Sequence, residues 1–458
     1  MAFSRFSFAS DKRERRRVDS IPIPVAPTAS EDSRVDGQRK VGPADGLPPS
    51  YPVDVRNATD AKPAALRPQV ILLSFASLLN DVSSEMIFPL LPVFLTVTLG
   101  ATPVIVGLIE GSADALSSIL KLAAGVWSDR ARRRKPLIIG GYALAAVSRA
   151  LIGGAVRWPS VLAARLIDRT GKGIRSAPRD AMISDVTPVE SRGRAFGFHR
   201  ALDHTGAIVG PLVAMALLQG LHVSVRRLFV LATIPAAIGV AMLWLLLKEE
   251  PSDHVRDRSF RVASVPLGKP FWEAIASISL FSLANSSDAF LILQAHAAGV
   301  TTALLPLLWA AHHVIKALFS TRAGSISDRV DRRWLLIGGW SAYAVIYFVF
   351  PLARSMTGFF VLFVVYAIPF TLTEGAERAW ITDLIPAATR GKAFGIYYLA
   401  TGIFVLGGTA LFGVIFQNVS PTAAFRTGGT LALAAALLVA IQRRRQSRPL
   451  QALSPKVE

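Results

Sequence analysis

One apolar stretch of this sequence, predicted to be helical over residues 159–187, carries a row of charged side chains. They are Arg165, Asp168, Arg169, Lys172, Arg175 and Arg179. At about 100° per residue they fall within an arc of roughly 120° on one helical face. Such a face could grip a carboxylate or phosphate, because arginine binds these groups through two parallel hydrogen bonds. A ladder of structural ion pairs is the competing interpretation.

Carboxylates in two other apolar stretches are candidate proton carriers. Asp81 and Glu85 are four residues apart, and so are Glu110 and Asp114. Side chains at this spacing share one face of a helix. Because a carboxylate that is withdrawn from water can take up a proton, these four side chains predict coupling of the protein's activity to protons.

Four more side chains complete the set that could line a solute cavity. Arg149 is the lone charge of its stretch, and Asp288, His312 and Glu374 lie in the second half of the chain. Glu374 and Arg378 are four residues apart, a spacing that predicts an ion pair on one helix. We expect roughly half of these charges to form structural pairs, which cost about 3–5 kcal/mol to break.

The elements that must position these charges are long and apolar. Hydrophobic residues make up 52% of the 458-residue chain and charged residues 18%, against roughly 25% charged in a soluble domain. Because a helix of about 20 apolar residues crosses a bilayer, this pattern predicts an all-α membrane protein. The predicted spans are 68–94, 102–127, 136–155, 159–187, 195–219, 226–247, 271–296, 302–325, 334–353, 357–386, 393–417 and 423–441.

The chain repeats itself once. The segment Ala124–Arg130 returns at Ala323–Arg329, 199 positions later, and Ala181–Gly197 is echoed at Ala379–Gly395 with an offset of 198. Two independent matches at spacings that differ by one lost residue indicate two copies of a six-span unit, a pattern typical of secondary transporters.

Basic residues alternate between the span ends and predict the orientation. The loops after spans 2, 4, 8 and 10 hold Arg130, Arg132, Arg133, Arg134, Lys135, Arg192, Arg194, Arg329, Arg332, Arg333, Arg390 and Lys392. Since an excess of basic residues in the loops marks the cytoplasmic side of a membrane protein, we expect both termini in the cytoplasm. The predicted division is a disordered tail over 1–66, bundles over 67–247 and 271–442, a linker over 248–270, and a basic tail over 443–458.

Several motifs resemble those of the major facilitator superfamily. Gly125, Asp129 and Arg130, followed by a basic cluster, resemble the family's signature loop, which the repeat copies at Gly324, Asp328 and Arg329. Gly206, Gly210 and Pro211 resemble its antiporter motif, and Pro89–Pro92 a drug-exporter signature. The glycine that usually follows the Asp-Arg pair is absent, and Arg169 stands where the family has another glycine. The resemblance implies two six-helix bundles, with Asp129 and Asp328 holding a cytoplasmic gate.

These observations favour a secondary transporter that moves a small organic solute across the cell (inner) membrane by alternating access, coupled to protons. The antiporter and exporter motifs favour export, and the charged face of span 4 favours uptake of an anionic metabolite. A receptor or membrane enzyme would need an extramembrane domain, and no predicted loop exceeds roughly two dozen residues. We expect a monomer in the lipid bilayer with no cofactor, no metal and no nucleic-acid partner. The chain has no cysteine.

The orientation can be tested with reporter fusions. A reporter fused after Lys135 or Arg333 should read cytoplasmic, and one fused near Gly100 or Val300 should read on the opposite side of the membrane. Reversed labelling at either pair of positions would refute the assignment that rests on the basic loops.

Overall fold

A computed structural model describes residues 66–130, 134–188, 191–248, 267–327, 330–386 and 390–447. The predicted N-terminal tail lies outside these ranges except at residue 66, and so does most of the predicted linker. Asp328 and Arg329, two of the predicted gating residues, are also outside the described residues.

Twelve long helices form from the described residues, which contain no strand. They are α1 Pro68–Thr98, α2 Pro103–Arg130, α3 Lys135–Gly154, α4 Trp158–Asp185, α5 Arg192–Gly220, α6 Val225–Leu246, α7 Lys269–Ala297, α8 Leu305–Ser327, α9 Arg332–Leu352, α10 Met356–Asp383, α11 Arg390–Asn418 and α12 Pro421–Ser447. Each coincides with one predicted span to within a few residues at most ends. The largest difference is at α12, which continues from the predicted end at residue 441 through the three arginines to Ser447.

Helix α4 differs from the others in composition. Eleven of the helices in the described part of the chain are long and apolar enough to cross a membrane. The twelfth, α4, is 28 residues long but carries the charged row. It packs against α2 and α3, so protein rather than lipid covers much of its surface. This packing explains how a helix with so many charges is accommodated in a membrane-spanning bundle.

The two halves of the chain repeat the same packing. Gly141 of α3 lies against Arg175 and Gly171 of α4, and Gly339 of α9 lies against Thr373 of α10. Both Gly339 and Thr373 follow their counterparts by 198 positions. Across the interface between the halves, α2 packs on α11 and α5 packs on α8. The fold is therefore two six-helix bundles.

Glycines bring the two bundles together at one end. A Cβ atom added to Gly107 of α2 would lie 2.6 Å from the carbonyl oxygen of Thr409, and one added to Gly413 of α11 would lie 2.9 Å from that of Pro103. Distances this short leave no room for a side chain. The bundles are thus tightly closed where α2 begins and α11 ends.

Two membrane helices are interrupted. Helix α1 passes through Pro89 and Pro92 and finishes in a π-helical turn, Phe94–Thr98. Helix α7 breaks at residues 285–288, between the helical segments Lys269–Ala284 and Ala289–Ala297. The break frees backbone and side-chain polar groups inside the bundle, where they need partners or a water-filled cavity.

The predicted antiporter motif packs α5 onto α1. A Cβ atom at Gly206 would lie 2.8 Å from the carbonyl oxygen of Leu78, and one at Gly210 would lie 2.5 Å from that of Val82. Pro211 follows inside the helix. The visible role of these residues is close helix packing, and a role in antiport stays a prediction.

Asp331 ties the start of α9 to α12. Its carboxylate accepts hydrogen bonds from the backbone nitrogen of Arg333 at 3.0 Å and from Nε of Arg443 at 3.1 Å. Partial burial acts to raise the pKa of this carboxyl, but the hydrogen bonds from Arg333 and Arg443 outweigh it and hold the pKa below its usual value. Arg443, predicted as the start of a basic tail, also lies 4.5 Å above the ring of Trp334. The end of α12 is therefore part of the folded bundle.

Candidate solute cavity between the two halves

A cavity of about 430 Å³ lies between the two bundles, within the size range of sites for small organic molecules. Both halves line it. The first half contributes Glu85 and Phe88 from α1, Glu110 and Asp114 from α2, and Arg169 and Lys172 from α4. The second half contributes the α7 break at residues 285–288, Trp309 and His313 from α8, and Phe370 from α10.

Three of the four predicted proton carriers face this cavity. Glu85, Glu110 and Asp114 line it, whereas Asp81 lies one turn before Glu85 and accepts a hydrogen bond from the Asn80 amide at 3.2 Å. The two on α2 differ in exposure. The side chain of Asp114 is 46% exposed and that of Glu110 only 4%. Asp114 is therefore open to solvent in a way that Glu110 is not.

Arg165 and Glu110 form the central ion pair of the first half. Nε of Arg165 lies 3.1 Å from Oε1 of Glu110, and its Nη2 lies 2.5 Å from Oε2. Both residues are buried. The two parallel hydrogen bonds match the planar fork of a guanidinium to a carboxylate, which is the strongest geometry for such a pair.

A second buried pair joins Arg149 to Asp168. The two charges are 3.8 Å apart, and Nη2 of Arg149 also donates to Oδ1 of Asn80 at 3.0 Å. Arg165 lies 3.9 Å from the same aspartate. The sequence suggested a lone charge at Arg149. The structure corrects this, because α3 and α4 pack side by side and bring Asp168 within reach.

The guanidinium groups of Arg175 and Arg179 also have partners within the first bundle. The guanidinium of Arg175 lies 4.5 Å above the ring of Tyr142 and donates to the carbonyl oxygen of Gly141 at 3.3 Å. Arg179 pairs with Asp180 at 2.9 Å. For most of the α4 row, the structural ladder is therefore the interpretation that the geometry supports.

Two cations of α4 remain for the cavity. Arg169 lines it and is held loosely by Asp114, with 3.8 Å between Nη2 and Oδ1. Lys172 also lines it and has no carboxylate within 4.0 Å among the described residues. These two side chains are positioned to meet a negatively charged group of a solute.

Aromatic residues of the second half occupy the positions that ions occupy in the first. With the repeat offsets of 199 and 198, the pairs are Glu110 with Trp309, Asp114 with His313, Arg149 with Tyr347, and Asp168 with Tyr366. Where Arg149 and Asp168 form an ion pair, Tyr347 and Tyr366 stack with their ring centroids 6.2 Å apart. The first-half wall of the cavity is thus mainly ionic, and the second-half wall is mainly aromatic and hydroxyl-bearing, with the carboxylate of Asp288 among its side chains.

Three buried tyrosines hold the α7 break. Tyr343 donates to the carbonyl oxygen of Ala284 at 3.3 Å, and Tyr366 donates to Oδ1 of Asp288 at 2.7 Å. The hydroxyl of Tyr347 lies 3.0 Å from that of Ser286. Asp288, a predicted cavity residue, lines the cavity, and the hydrogen bond from Tyr366 holds its carboxylate in place. The tyrosines were not identified from the sequence.

Six of the nine predicted cavity residues do not line the cavity: Arg149, Arg165, Asp168 and Arg175, whose contacts are given above, and His312 and Glu374. His312 is 3% exposed and lies between Trp309, on which it stacks, and Tyr366, while its neighbour His313 faces the cavity. One helical position turns a side chain by about 100°, so the sequence could not separate the adjacent histidines without the packing of α8.

Glu374 lies outside the cavity, at the centre of a cationic group. It pairs with Arg378 at 3.5 Å, as the spacing on α10 predicted, and with Lys316 at 3.8 Å. Arg200 of α5 also approaches it, at 3.5 Å from the other half. Since the side chains of Arg200 and Glu374 are 61% and 41% exposed, solvent screens this contact between the bundles.

The predicted gating residues can be placed only by their backbone. Gly125, Asp129 and Arg130 form the last turns of α2, and Gly324 lies near the end of α8. Their side chains are outside the described part of the structure. The gate therefore stays a prediction.

The comparison with known proteins now decides the family. The family model described as "Major Facilitator Superfamily" matches this chain over residues 73–312 and 289–458. The chain belongs to this superfamily. As in other members, it is a multi-pass membrane transporter, not an enzyme.

Relatives and solved structures in the superfamily agree. An uncharacterised MFS-type transporter of Methanocaldococcus jannaschii is 32% identical over 82% of this chain and 94% of its own. The inner membrane transport protein YajR of Escherichia coli is 25% identical over 76% of this chain and 77% of its own. A bacterial homologue of the human lysosomal transporter Spinster, 18% identical, superposes with a TM-score of 0.63 over 81% of this chain and 94% of its own. That last likeness concerns the fold alone.

The central ion pair generates a stability prediction. We expect Glu110→Gln to lower the apparent Tm of the purified transporter sharply, because it leaves the buried guanidinium of Arg165 without a charged partner, at a cost of about 3–5 kcal/mol. Asp114→Asn is the matched control. Its carboxylate is half-exposed and loosely paired, so we expect a loss below about 1 kcal/mol.

A second comparison isolates the pair itself. The double variant Glu110→Gln/Arg165→Gln should be more stable than Glu110→Gln alone, because it removes the stranded charge. Equal losses in Glu110→Gln and Asp114→Asn would contradict the assignment of Arg165–Glu110 as the central pair.

Proposed function

We propose that this transporter exports a small organic solute in exchange for protons, by alternating access at the cavity between its two halves. The observation that carries the proposal is the cavity itself, which both halves line and in which carboxylates meet Lys172 and the loosely paired Arg169. In transporters built from two repeats, the substrate and coupling-ion sites lie at the interface of the repeats. Rocking of the halves would expose this cavity to each side of the membrane in turn.

Export is supported by the names of several relatives. Multidrug resistance protein 1 of Bacillus subtilis is 24% identical over 70% of this chain and 83% of its own. The multidrug resistance protein MdtH of Photorhabdus laumondii is 29% identical over 32% of this chain and 36% of its own. The antiporter-like motif at Gly206, Gly210 and Pro211 favours the same direction.

The geometry ranks the candidate proton carriers. Glu110 is committed to Arg165, so losing its charge would break a buried pair. Glu85, Asp114 and Asp288 line the cavity without a close cationic partner of that kind. Among the predicted set, Glu85 and Asp114 are therefore the carriers that we propose, with Asp288 as their counterpart in the second half.

Uptake of an anionic metabolite is the second candidate function. Arg169 and Lys172 face the cavity while the other α4 cations are occupied, and this favours a negatively charged solute. Because protonation of the cavity carboxylates would leave these two cations in excess, proton binding would strengthen the binding of an anion. The direction of transport separates the two candidates.

Three earlier predictions complete the proposal. Both termini lie in the cytoplasm, and the closed end described above then faces outward. Asp129 and Asp328 form the cytoplasmic gate, since an anion near helix N-termini is stabilised by their dipoles. The transporter works as a monomer in the cell membrane.

The coupling is tested in proteoliposomes with an imposed pH gradient. One of Glu85 and Asp114 carries the proton. We expect the neutral variant of that residue, Glu85→Gln or Asp114→Asn, to abolish uphill transport while leaving downhill exchange measurable. Glu273→Gln, at a carboxylate of α7 outside the cavity lining, is the control. Uphill transport that keeps its pH dependence in both variants would place the coupling site elsewhere.

The chemistry of the solute is tested with Arg169→Ala. We expect this variant to weaken binding of an anionic compound by about ten-fold or more and to leave neutral compounds near the wild-type affinity, since a charged hydrogen bond contributes about 1.5–3 kcal/mol. Binding is measured by thermal shift over anionic, neutral and cationic compounds at two pH values. Tight binding of lipophilic cations, unaffected by the change, would refute the anionic solute and favour drug export.

A further inference from the structure

A partly buried hydrogen bond crosses between the two halves beside the cavity. Nε1 of Trp309, on α8, donates to Oε2 of Glu85, on α1, at 2.7 Å. Both side chains line the cavity, and Trp309 is 4% exposed. The contact joins a candidate proton carrier of the first half to an aromatic residue of the second.

Trp309 is fixed on several sides. Its ring centroid lies 4.8 Å from that of Phe88 on α1, and 5.2 Å from that of His312, on which it stacks with an interplanar angle of 12°. His313 meets it edge-on at 5.0 Å. The indole therefore spans the gap between α1 and the second half, and its N–H is aimed at Glu85.

The contact lies toward the closed end of the bundle. Trp309 is in the first two turns of α8, and Glu85 is in the last turn of the regular part of α1, which ends at Ile87. The glycine contacts between α2 and α11 occur at the same end, at Gly107 and Gly413. If the halves rock apart there, the bond between Glu85 and Trp309 must break.

The chemistry of the bond makes it sensitive to charge. An indole N–H can only donate, so its strength depends on the acceptor. An ionised carboxylate makes a hydrogen bond roughly twice as strong as a neutral acceptor does. Neutralising Glu85 would therefore weaken the contact without removing either side chain.

Several ionisable groups face Glu85 from the elements around it. They are Asp81 on α1, Glu110 and Asp114 on α2, Arg165, Arg169 and Lys172 on α4, Asp288 on α7, and His313 on α8. Helix α5 meets Glu85 at Gly210, which carries no charge. Burial favours the neutral form of Glu85 and the cations favour the ionised form, so the charge of Glu85 can change when a proton or a ligand binds.

We propose that Glu85 and Trp309 form a charge-operated latch on the end of the transporter where α1 ends and α8 begins. Ionised Glu85 holds this end closed. A proton or a cationic group of the solute that neutralises Glu85 releases the indole and lets this end open. The inference rests on the alternating access proposed above and assigns Trp309 a positioning role in it.

The latch can be measured as a distance, without any solute. The chain has no cysteine, so Val156→Cys and Val419→Cys provide the only two spin-label sites. These residues are 78% and 71% exposed and lie in the α3–α4 and α11–α12 loops, at the closed end of opposite halves. Double electron–electron resonance then reports closed and open populations at this end.

We expect Glu85→Gln and Trp309→Phe each to raise the ratio of open to closed molecules on the order of ten-fold. Glu85→Gln keeps the shape and removes the charge, and Trp309→Phe keeps an aromatic ring and removes the donor. Because both changes break one bond, the double variant should shift the ratio no further than either single variant does.

Two controls share the chemistry but not the contact. Trp244→Phe, at a 69% exposed tryptophan of α6, and Glu273→Gln on α7 should leave the distance distribution unchanged. An unchanged distribution in Glu85→Gln or in Trp309→Phe would overturn the latch, and so would effects of the two that simply add. If the variants open this end as expected but the transporter moves no protons, the proposed proton coupling is refuted and the latch is not.

Discussion

The bidentate ion pair between Arg165 and Glu110 determines how the charged helix α4 can be placed inside a membrane protein. A guanidinium buried among membrane-spanning helices is tolerated only with a partner. Glu110 on α2 is that partner and accepts two hydrogen bonds from Arg165. Asp168 and Arg149 extend the network to α3. Since α4 must contact both neighbours to keep these charges paired, the network fixes the packing of the first bundle and turns the remaining α4 cations toward the cavity.

The second bundle has the same fold, but different side chains fill its interior. Its positions equivalent to Glu110, Arg149 and Asp168 hold Trp309, Tyr347 and Tyr366. These rings need no counter-ions, and the hydroxyls of Tyr347 and Tyr366 form hydrogen bonds with the break in helix α7 instead. The first-half wall of the cavity is therefore mainly ionic, whereas the second-half wall carries aromatic and hydroxyl side chains together with Asp288. In the mechanism proposed above, a proton or an ion binds on one half, and the change reaches the other half through the few polar contacts that cross between them.

Much of this architecture follows from the sequence, because hydrophobic length and the internal repeat depend on local pattern alone. All twelve helices, the charged face of α4 and the pair Glu374–Arg378 could be predicted in this way. Contacts between helices could not. Arg149 looked unpaired because Asp168 belongs to another helix, and His312 could not be told from His313 without the rotation of α8 about its axis. Trp309 carried a usable signal, since the repeat aligns it with Glu110, but an aromatic residue in an apolar span attracts no attention by itself.

The central claim is that a water-accessible cavity shared by both halves is the transport site. Conservative Ser→Cys variants test it directly in this cysteine-free chain. Ser118 on α2 and Ser287 on α7 line the cavity from opposite halves, whereas Ser148 on α3 is fully buried behind it. The rate of reaction with a charged, membrane-impermeant thiol reagent is measured for Ser118→Cys, Ser287→Cys and Ser148→Cys in the purified transporter. The account predicts fast labelling at the first two positions and none at the third; cavity positions no more reactive than Ser148→Cys would contradict it.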